Sequence, residues 1–369
     1  MTRTKANLLA ATLALLAAAA GLPGRADGDA HAERLAAARA YWERVLAACA
    51  GEPAKSAYYP TEPALPMLTA YAVTREARFA DQATRQLAYA HGLERDGMLA
   101  VPASGFPAGH RDPQARQVYN FYLAYRLLAD GKYLQWADDC ARAMVKVLPR
   151  AAHDCAGQSH VQFTASLINL DAPTAVAPVY AVDVNQNAEV GLAFALLFHA
   201  PASAFFAAPL AREIALEETL ASMSVQNMET GAIPLTEGDR IQQYDTAYGS
   251  YAAFSWVWSQ LLWQDPRLEE HVRAAGRWLA DKLDLTKDSD RYYSFRNPST
   301  ALPPWEAAYR LPLYWYCGVD ATSYVAGLFA RLPQADPRDP MVTPWAYYDL
   351  MGLPRAYYTD GQPQAARAR

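Results

Sequence analysis

Apolar residues recur at helical spacing along most of the chain, and two kinds of helix alternate. The segments 184–199 and 241–263 are apolar on nearly every side, which is typical of helices buried in a protein interior. The segment 267–283 carries a single apolar stripe among charged residues, which is typical of a helix at the surface. The pattern therefore predicts an all-α protein in which inner helices alternate with outer ones.

The alternation predicts a first helix at about 32–50 and then a series of helix pairs. Inner helices are predicted near 64–73, 114–129, 184–199, 241–263 and 320–331, and outer helices near 79–93, 132–147, 204–225 and 266–283. Strand signals are scarce. The segment 151–180, with the alternation HVQFTASLINL, fits either a β excursion or an irregular loop.

The connections between these helices repeat. Three outer helices follow a tight turn and start with a basic residue and a large apolar one, at Arg78-Phe79, Lys132-Tyr133 and Arg267-Leu268. The longer connections contain glycine, as at 95–102 and 229–234. A unit of roughly 50 to 70 residues that recurs in this way indicates a repeat of helical hairpins.

The hairpin period, and the Asp96-Gly97 turn ahead of an inner helix, resemble the (α/α) toroid of many glycoside hydrolases, several polysaccharide lyases and some sugar epimerases. The resemblance spans about Glu33 to Leu350. It is architectural, since no catalytic motif matches residue by residue. It implies a closed or incomplete barrel of helical hairpins with little β structure, and a ligand cleft at the N-terminal ends of the inner helices.

The N-terminus has the features of a secretory signal peptide. Arg3 and Lys5 precede an apolar run at 8–22, and small residues near Ala26 offer a cleavage site. The run has about 15 residues, against roughly 20 needed to span a bilayer. The predicted organisation is a signal peptide at 1–26, a single toroid domain at 27–360 and a flexible tail at 361–369. We expect a periplasmic or secreted protein without a membrane span once the signal is removed.

Composition and cysteine content further limit the class of protein and the kinds of partner and metal site to be expected. The 369 residues are 52% hydrophobic and 19% charged, which indicates a globular protein, and the net charge of -5 argues against a nucleic-acid partner. In an oxidising compartment Cys49, Cys140, Cys155 and Cys317 are candidates for disulfides, with three pairings open. No cysteine lies beside a histidine at metal-ligand spacing, so no zinc site is expected, and nothing in the sequence requires a cofactor.

Aromatic and polar residues recur at the predicted N-terminal ends of the inner helices. Aromatic faces stack on sugar rings and polar side chains bind hydroxyl groups, so this mixture favours a poly- or oligosaccharide ligand. Residues noted at these ends include Tyr58, Glu62, Asp112, Glu189 and Tyr309. The predicted catalytic residues are Asp183, Asp245, Glu229 and Tyr248. The predicted substrate-binding residues are Tyr59, His110, Arg116, Tyr119, Asn120, Asn185, Gln186, Asn187, Gln243, Tyr244, Trp315 and Tyr316.

Several of these residues also have a purely structural interpretation. Asp183 followed by Gln186 fits a helix N-cap with its partner. Asp245 fits a cap or a local ion pair, and Glu229 fits a solvated turn. Asn187 is a poor helix former, so its presence in a packed helix indicates either a local polar network or a ligand contact.

Three functions are compatible with these residues. Hydrolysis of a glycosidic bond needs one protonated and one ionised carboxyl group, which Asp183 and Asp245 could supply, and we favour it slightly. Eliminative cleavage of a uronate polysaccharide needs a neutralising group, Arg116 or Asn187, and a base such as Tyr248 or His110. The third possibility is a non-catalytic helical-repeat protein that binds a glycan or another protein.

Overall fold

The computed structural model describes residues 28–54, 58–103, 106–165, 167–171, 182–234, 246–281 and 309–319, with positions 333 and 337. The helices in these ranges are α1 (Gly28–Ala48), α2 (Leu65–Thr74), α3 (Ala77–His91), α4 (Arg111–Leu128), α5 (Gly131–Val147), α6 (Val184–Phe198), α7 (Pro209–Ser224), α8 (Thr246–Trp263), α9 (Pro266–Asp281) and α10 (Leu311–Cys317). A 3-10 turn, Glu62–Ala64, precedes α2.

Most of the predicted helices are present at the expected places. The outer helix predicted from 204 begins at Pro209, where proline occupies the first turn and its missing N–H costs no helical bond. The short helix α10 was not predicted. The helix expected at 320–331, the signal peptide at 1–26 and the tail at 361–369 lie outside the described residues.

The helices form a series of antiparallel pairs whose inner members contact one another in chain order. Contacts run from α2 to α4, α6, α8 and α10, while α3, α5, α7 and α9 each pack on the inner helix before them. Every residue of α6 from Val184 to Leu197 except Gln186 is buried, whereas α9 buries one face. The predicted division into inner and outer helices is therefore confirmed for the described part of the chain.

Inner helix α6 and outer helix α7 approach closely because of one glycine. A Cβ atom at Gly191 would lie 2.2 Å from Thr219 Oγ1, so a side chain there would push the two helices apart. The Thr219 hydroxyl itself donates to the Ala215 carbonyl, which keeps the polar atom satisfied inside the contact.

Within the described residues, six short strands lie beside the helices. They are β1 (Glu94–Arg95), β2 (Met98–Ala103), β3 (Phe106–His110), β4 (Arg150–Cys155), β5 (Gln158–Phe163) and β6 (Leu167–Asn169). All pairs are antiparallel: one sheet has the order β1-β2-β3-β6, and β4 pairs with β5. The connection expected at 95–102 is thus part of a β-hairpin, closed by Asp96 and Gly97 at positive φ. The β excursion was the correct alternative for much of 151–180.

The four cysteines are thiols, so the predicted disulfides are not formed. Their sulfur atoms occupy separate surroundings. The Cys140 thiol lies against Glu94, the Cys155 sulfur accepts from Ser224 Oγ at 3.1 Å, and Cys317 lies near the Val272 carbonyl. Within the described ranges, no helix combines the length and hydropathy needed to cross a bilayer.

Candidate functional site

A buried ion cluster lies where the first turns of α4 and α6 meet the segment before α2. Its members are Arg116, Glu62, Asp112 and Glu189, each at most 4% exposed. We call it the Arg116 cluster. Asp112 and Arg116 are four residues apart on α4, so they lie on one face of the helix, and Glu189 comes from the facing side of α6.

The guanidinium group of Arg116 binds all three carboxyl groups. Nη1 donates to Glu62 Oε1 at 2.6 Å, and Nη2 and Nε donate to the two oxygens of Glu189 at 2.8 and 3.0 Å. Nε also donates to Asp112 Oδ1 at 3.1 Å. One cation therefore faces three acidic groups, and the fork geometry of arginine is fully used.

Aromatic rings enclose the guanidinium group. The Arg116 carbon Cζ lies 4.3 Å from the centroid of the Tyr59 ring and 4.7 Å from that of Tyr251 on α8. The Tyr59 hydroxyl donates to Asp112 Oδ2 at 2.7 Å, and the Tyr309 ring packs edge-on against Tyr251. The rings exclude water, which strengthens every charge interaction in the cluster.

The hydrogen-bonded carboxyl pair Asp112 and Glu189 is not equally acidic. Burial raises the pKa of Glu189 well above its usual value, and the charge of Asp112 adds to this against the attraction of Arg116. Burial opposes ionisation of Asp112 too, but Arg116, with hydrogen bonds from Glu189 and Tyr59, lowers its pKa below the usual value. Of the two carboxyl groups, Glu189 therefore holds a shared proton more tightly, and Asp112 is the more readily ionised.

The cluster has an exposed edge formed by Tyr58 and His110. The Tyr58 oxygen lies 2.9 Å from His110 Nε2, and the Tyr58 ring meets the rings of Tyr59 and His110 edge-on. Tyr58 is 38% exposed. Burial lowers the pKa of His110, which keeps the imidazole neutral at pH 7, although the charge of Asp112 opposes this shift. The edge thus holds a neutral histidine bonded to an exposed phenol.

A second buried cluster lies beside the first. Asn187 Nδ2 donates to Gln162 Oε1 and to Glu218 Oε2, both at 2.6 Å. Arg111 Nη1 donates to the Phe163 carbonyl at 2.6 Å, and the Phe163 N–H donates to Glu218 Oε1 at 2.5 Å. These residues form what we call the Asn187 cluster, which anchors β5 between α4, α6 and α7.

The predicted N-cap of α6 borders this second cluster and contacts it through its backbone. Asp183 occupies the N-cap position, but its side chain makes no capping bond, and Gln186 Nε2 donates to Asp183 Oδ2 at 2.9 Å instead. The Asp183 N–H donates to Asn187 Oδ1 at 3.0 Å. The structure shows the local polar network around Asn187, and its predicted contact with a ligand stays a prediction.

The structure brings some predicted site residues together and places others elsewhere. Tyr59, His110 and Arg116 meet at one site, with Tyr119 buried one turn further along α4 and Asn120 donating to Thr61 Oγ1 at 2.8 Å. Asn185 is buried in the first turn of α6.

The remaining predicted site residues do not contact the Arg116 cluster or are not described. Glu229 is exposed on its turn, and Tyr316 donates to Glu269 on outer helix α9. Tyr248 lies in α8 and Trp315 in α10, with side chains outside the described set. Gln243, Tyr244 and Asp245 also lie outside the described residues, so the pairing of Asp183 with Asp245 stays a prediction.

Glu62, Asp112 and Glu189 were noted at the helix ends but were not selected as site residues. Two signals in the sequence point to them. Asp112 precedes Arg116 by four residues, the spacing of an ion pair on a helix. Glu189 is an acid inside the apolar run of α6, and a buried acid needs a partner.

Comparison with solved structures identifies the fold. The chain is similar to D-mannose isomerase, with a TM-score of 0.53 and 13% identity over 87% of this chain and 96% of that one. It is similar to cellobiose 2-epimerase from Bacillus thermoamylovorans B4167, with a TM-score of 0.52 and 13% identity over 80% and 76% of the chains. The cellobiose 2-epimerase of Spirochaeta thermophila DSM 6192 gives 0.51 and 14% over 81% and 75%.

No protein-family model matches the chain, and no curated protein matches its sequence. The structural neighbours confirm the (α/α) toroid, and identities this low establish the fold alone. The site itself offers a neutral histidine, an exposed phenol, a carboxyl group with a raised pKa and one with a lowered pKa. Those groups suit proton transfer.

Proposed function

We propose that the protein is a carbohydrate-processing enzyme that removes a proton from a carbon atom of a sugar, as an epimerase or isomerase does. The observation that carries the proposal is the 2.9 Å bond between the Tyr58 oxygen and His110 Nε2 at the exposed edge of the Arg116 cluster. An exposed phenol bonded to a neutral imidazole is a base poised at the protein surface.

The proton path follows from the contacts. In the tautomer that carries its hydrogen on Nδ1, the neutral His110 accepts on Nε2: as the Tyr58 oxygen takes the proton from the sugar carbon, its own proton passes to His110 Nε2. The imidazolium that forms is stabilised by the charge of Asp112, which acts on the His110 ring. Delivery of the proton to the opposite face of the same carbon completes an epimerisation, and delivery to the neighbouring carbon completes an isomerisation; either leaves the protein with no net change in protons.

The charge of the site favours a neutral sugar. Arg116 is engaged by three carboxyl groups, and the cluster carries more acid than base even with Glu189 protonated. A uronate carboxylate would be repelled. The neutralising groups expected for elimination, Arg116 and Asn187, are both bound to other protein groups, so the uronate lyase alternative has less support.

The solved neighbours are consistent with this chemistry. Their names describe an isomerase of mannose and epimerases of cellobiose, and the proposal extends that kind of reaction to this chain. The shared fold raises the expectation, and the Tyr58–His110 pair supplies the chemical reason.

The test is exchange of sugar hydrogen with solvent. The protein is incubated in deuterated water with mannose, glucose and cellobiose, and deuterium on carbon and new epimers or isomers are followed by NMR. We expect deuterium in the product, and Tyr58→Phe and His110→Gln should lower the rate by about 10²- to 10⁴-fold. His153→Gln, in the β4–β5 hairpin, is the matched control and should leave the rate unchanged.

Hydrolysis is the second candidate, because the raised pKa of Glu189 favours the protonated form that a general acid needs. The hydrogen bond between Glu189 and Asp112 leaves no room for a sugar between them, so its partner would have to be another acid, such as Asp183 or Asp245. New reducing ends from oligosaccharides without deuterium on carbon would support hydrolysis. Binding without any conversion would support the non-catalytic alternative, and either result contradicts the primary proposal.

A further inference from the structure

Tyr59 links the exposed edge of the site to the buried carboxyl pair. Its hydroxyl donates to Asp112 Oδ2 at 2.7 Å, and one face of its ring covers the Arg116 guanidinium at 4.3 Å. The edge-on contact with Tyr58, at 4.5 Å between ring centroids, joins it to the residue that bonds His110. Three separate contacts thus converge on one half-buried side chain.

The hydroxyl of Tyr59 acts on the distribution of the shared proton. Asp112 accepts from Tyr59 on one oxygen and from Arg116 on the other, and both bonds favour the ionised carboxylate. Glu189 accepts from Arg116 alone among these donors. Removing the Tyr59 hydroxyl would therefore take one donor from Asp112 and bring the two carboxyl groups closer in acidity.

The ring of Tyr59 acts on the exposed edge. Tyr58 is exposed, and the edge-on packing on Tyr59 and the bond to His110 help to hold its oxygen in place. The ring is itself held by Arg116, which is buried and engaged on every side. The buried Arg116 therefore fixes the ring of Tyr59, and the ring of Tyr59 in turn positions Tyr58 at the surface.

We infer that Tyr59 is a positioning residue, and that it does not bind sugar as the sequence had suggested. Its hydroxyl, which donates to Asp112 and not to Glu189, favours the ionised form of Asp112, and its ring aligns Tyr58 with His110. The inference deepens the proposed function and rests on it for the catalytic consequence, since the charge on Asp112 is what stabilises the His110 imidazolium.

The first test is Tyr59→Phe, which keeps the ring on Arg116 and removes only the hydroxyl. We expect the acid limb of the kcat/KM pH profile to move up by about one pH unit, so that kcat/KM on that limb falls about tenfold, with KM changed less than twofold. Tyr133→Phe is the matched control, because Tyr133 also donates its hydroxyl to a single acceptor, Thr84 Oγ1 at 3.0 Å, on the outer side. It should leave the pH profile unchanged.

A second variant should shift the acid limb of the pH profile in the opposite direction. Replacing Tyr59 by 3-fluorotyrosine makes the hydroxyl a better donor without changing the shape of the ring, so the acid limb should move to lower pH. A fall in kcat/KM for Tyr59→Phe with an unshifted pH profile would show a merely structural role and overturn the inference. So would a rise in KM alone, which would return Tyr59 to direct contact with sugar.

The proton distribution is also measurable without any sugar. In protein labelled with ¹³C at the Asp and Glu carboxyl groups, NMR titration should show the Asp112 resonance moving at higher pH in Tyr59→Phe than in the unsubstituted protein. If no sugar is converted but this shift is seen, the proposed function fails while the positioning of Asp112 stands. Identical titration curves would contradict the inference even if the enzyme is active.

Discussion

The Arg116 cluster and the Asn187 cluster lie at the same ends of α4 and α6, and both are fully buried, but their charges are arranged differently. The Asn187 cluster pairs one arginine, Arg111, with one acid, Glu218, through amide groups and the backbone of Phe163. The Arg116 cluster sets one cation against three acids and reaches the surface at Tyr58. The Asn187 cluster ties β5 to the helices through amide and backbone bonds. The Arg116 cluster instead places the charge of Asp112 near the histidine at its exposed edge.

Helical geometry explains how neighbours in sequence come to serve different clusters. Arg111 and Arg116 are five residues apart on α4, so their side chains point about 140° from each other. Asn187 and Glu189 are two apart on α6 and point about 160° from each other. Each helix therefore gives one face to the Asn187 cluster and another to the Arg116 cluster.

The largest expected effect comes from removing the central cation. Arg116→Met would leave Glu62, Asp112 and Glu189 buried without a counter-charge, so the free energy of unfolding should fall by about 3 to 5 kcal/mol. Urea unfolding at pH 7 measures it. Arg78→Met is the control, because Arg78 forms ion pairs at the surface with Glu43 and Glu76 and should contribute little. An equal fall in the free energy of unfolding in the two variants would show that the buried ion pairs of Arg116 contribute no more to stability than the surface ion pairs of Arg78.

The pH dependence of the free energy of unfolding should reveal the titration of Glu218, the acid of the Asn187 cluster. Burial raises the pKa of Glu218 from 4.5 to about 7, against the opposing charge of Arg111 and the bonds from Phe163 and Asn187. The folded state then holds this proton more tightly than the unfolded chain. Its contribution is complete below about pH 4.5 and is lost as the pH rises through about 7, a change of about 3 kcal/mol.

Comparing the protein with Glu218→Gln separates this effect from other groups. Unfolding free energies at pH 5, 6, 7 and 8 should decline more steeply in the unsubstituted protein than in the variant. Glu189, whose pKa is also raised, titrates in both proteins and cancels in the difference. Parallel curves would mean that Glu218 remains ionised, as its two donors would favour.

The smallest expected effect is that of Asn187→Ala. Loss of this amide leaves Glu218 and Gln162 each short of one donor, so stability should fall by about 2 kcal/mol. The pH profile of activity should be unchanged, because the Asn187 side chain bonds Gln162 and Glu218 in the Asn187 cluster. Asn120→Ala, which removes a bond to Thr61 Oγ1, is the comparison variant. Normal stability with weakened sugar binding would restore the role of ligand residue that the sequence predicted for Asn187.

The local sequence pattern was enough to predict the helices, but it was not enough to predict the β-hairpins in the connections between them. The apolar circumference of α6 and the single stripe of α9 follow from residue spacing alone, so inner and outer helices could be predicted. The hairpin at Asp96-Gly97 was described as a glycine-containing connection, although Asp-Gly is itself a strong hairpin signal. The short helix α10 has seven residues, too few for a helical period to stand out.

The sequence by itself determined the toroid of helical hairpins and the ends at which polar and aromatic residues gather, because both depend on periodicity within a segment. Only the tertiary structure decided which of those residues meet. Arg116 joins Glu62 from 54 residues earlier and Glu189 from 73 residues later, and Tyr58 bonds His110 across 52 residues. Contacts of that range depend on how helices pack and rotate against one another, and no local pattern encodes the rotation that turns Glu189 toward Arg116 and Asn187 toward Glu218.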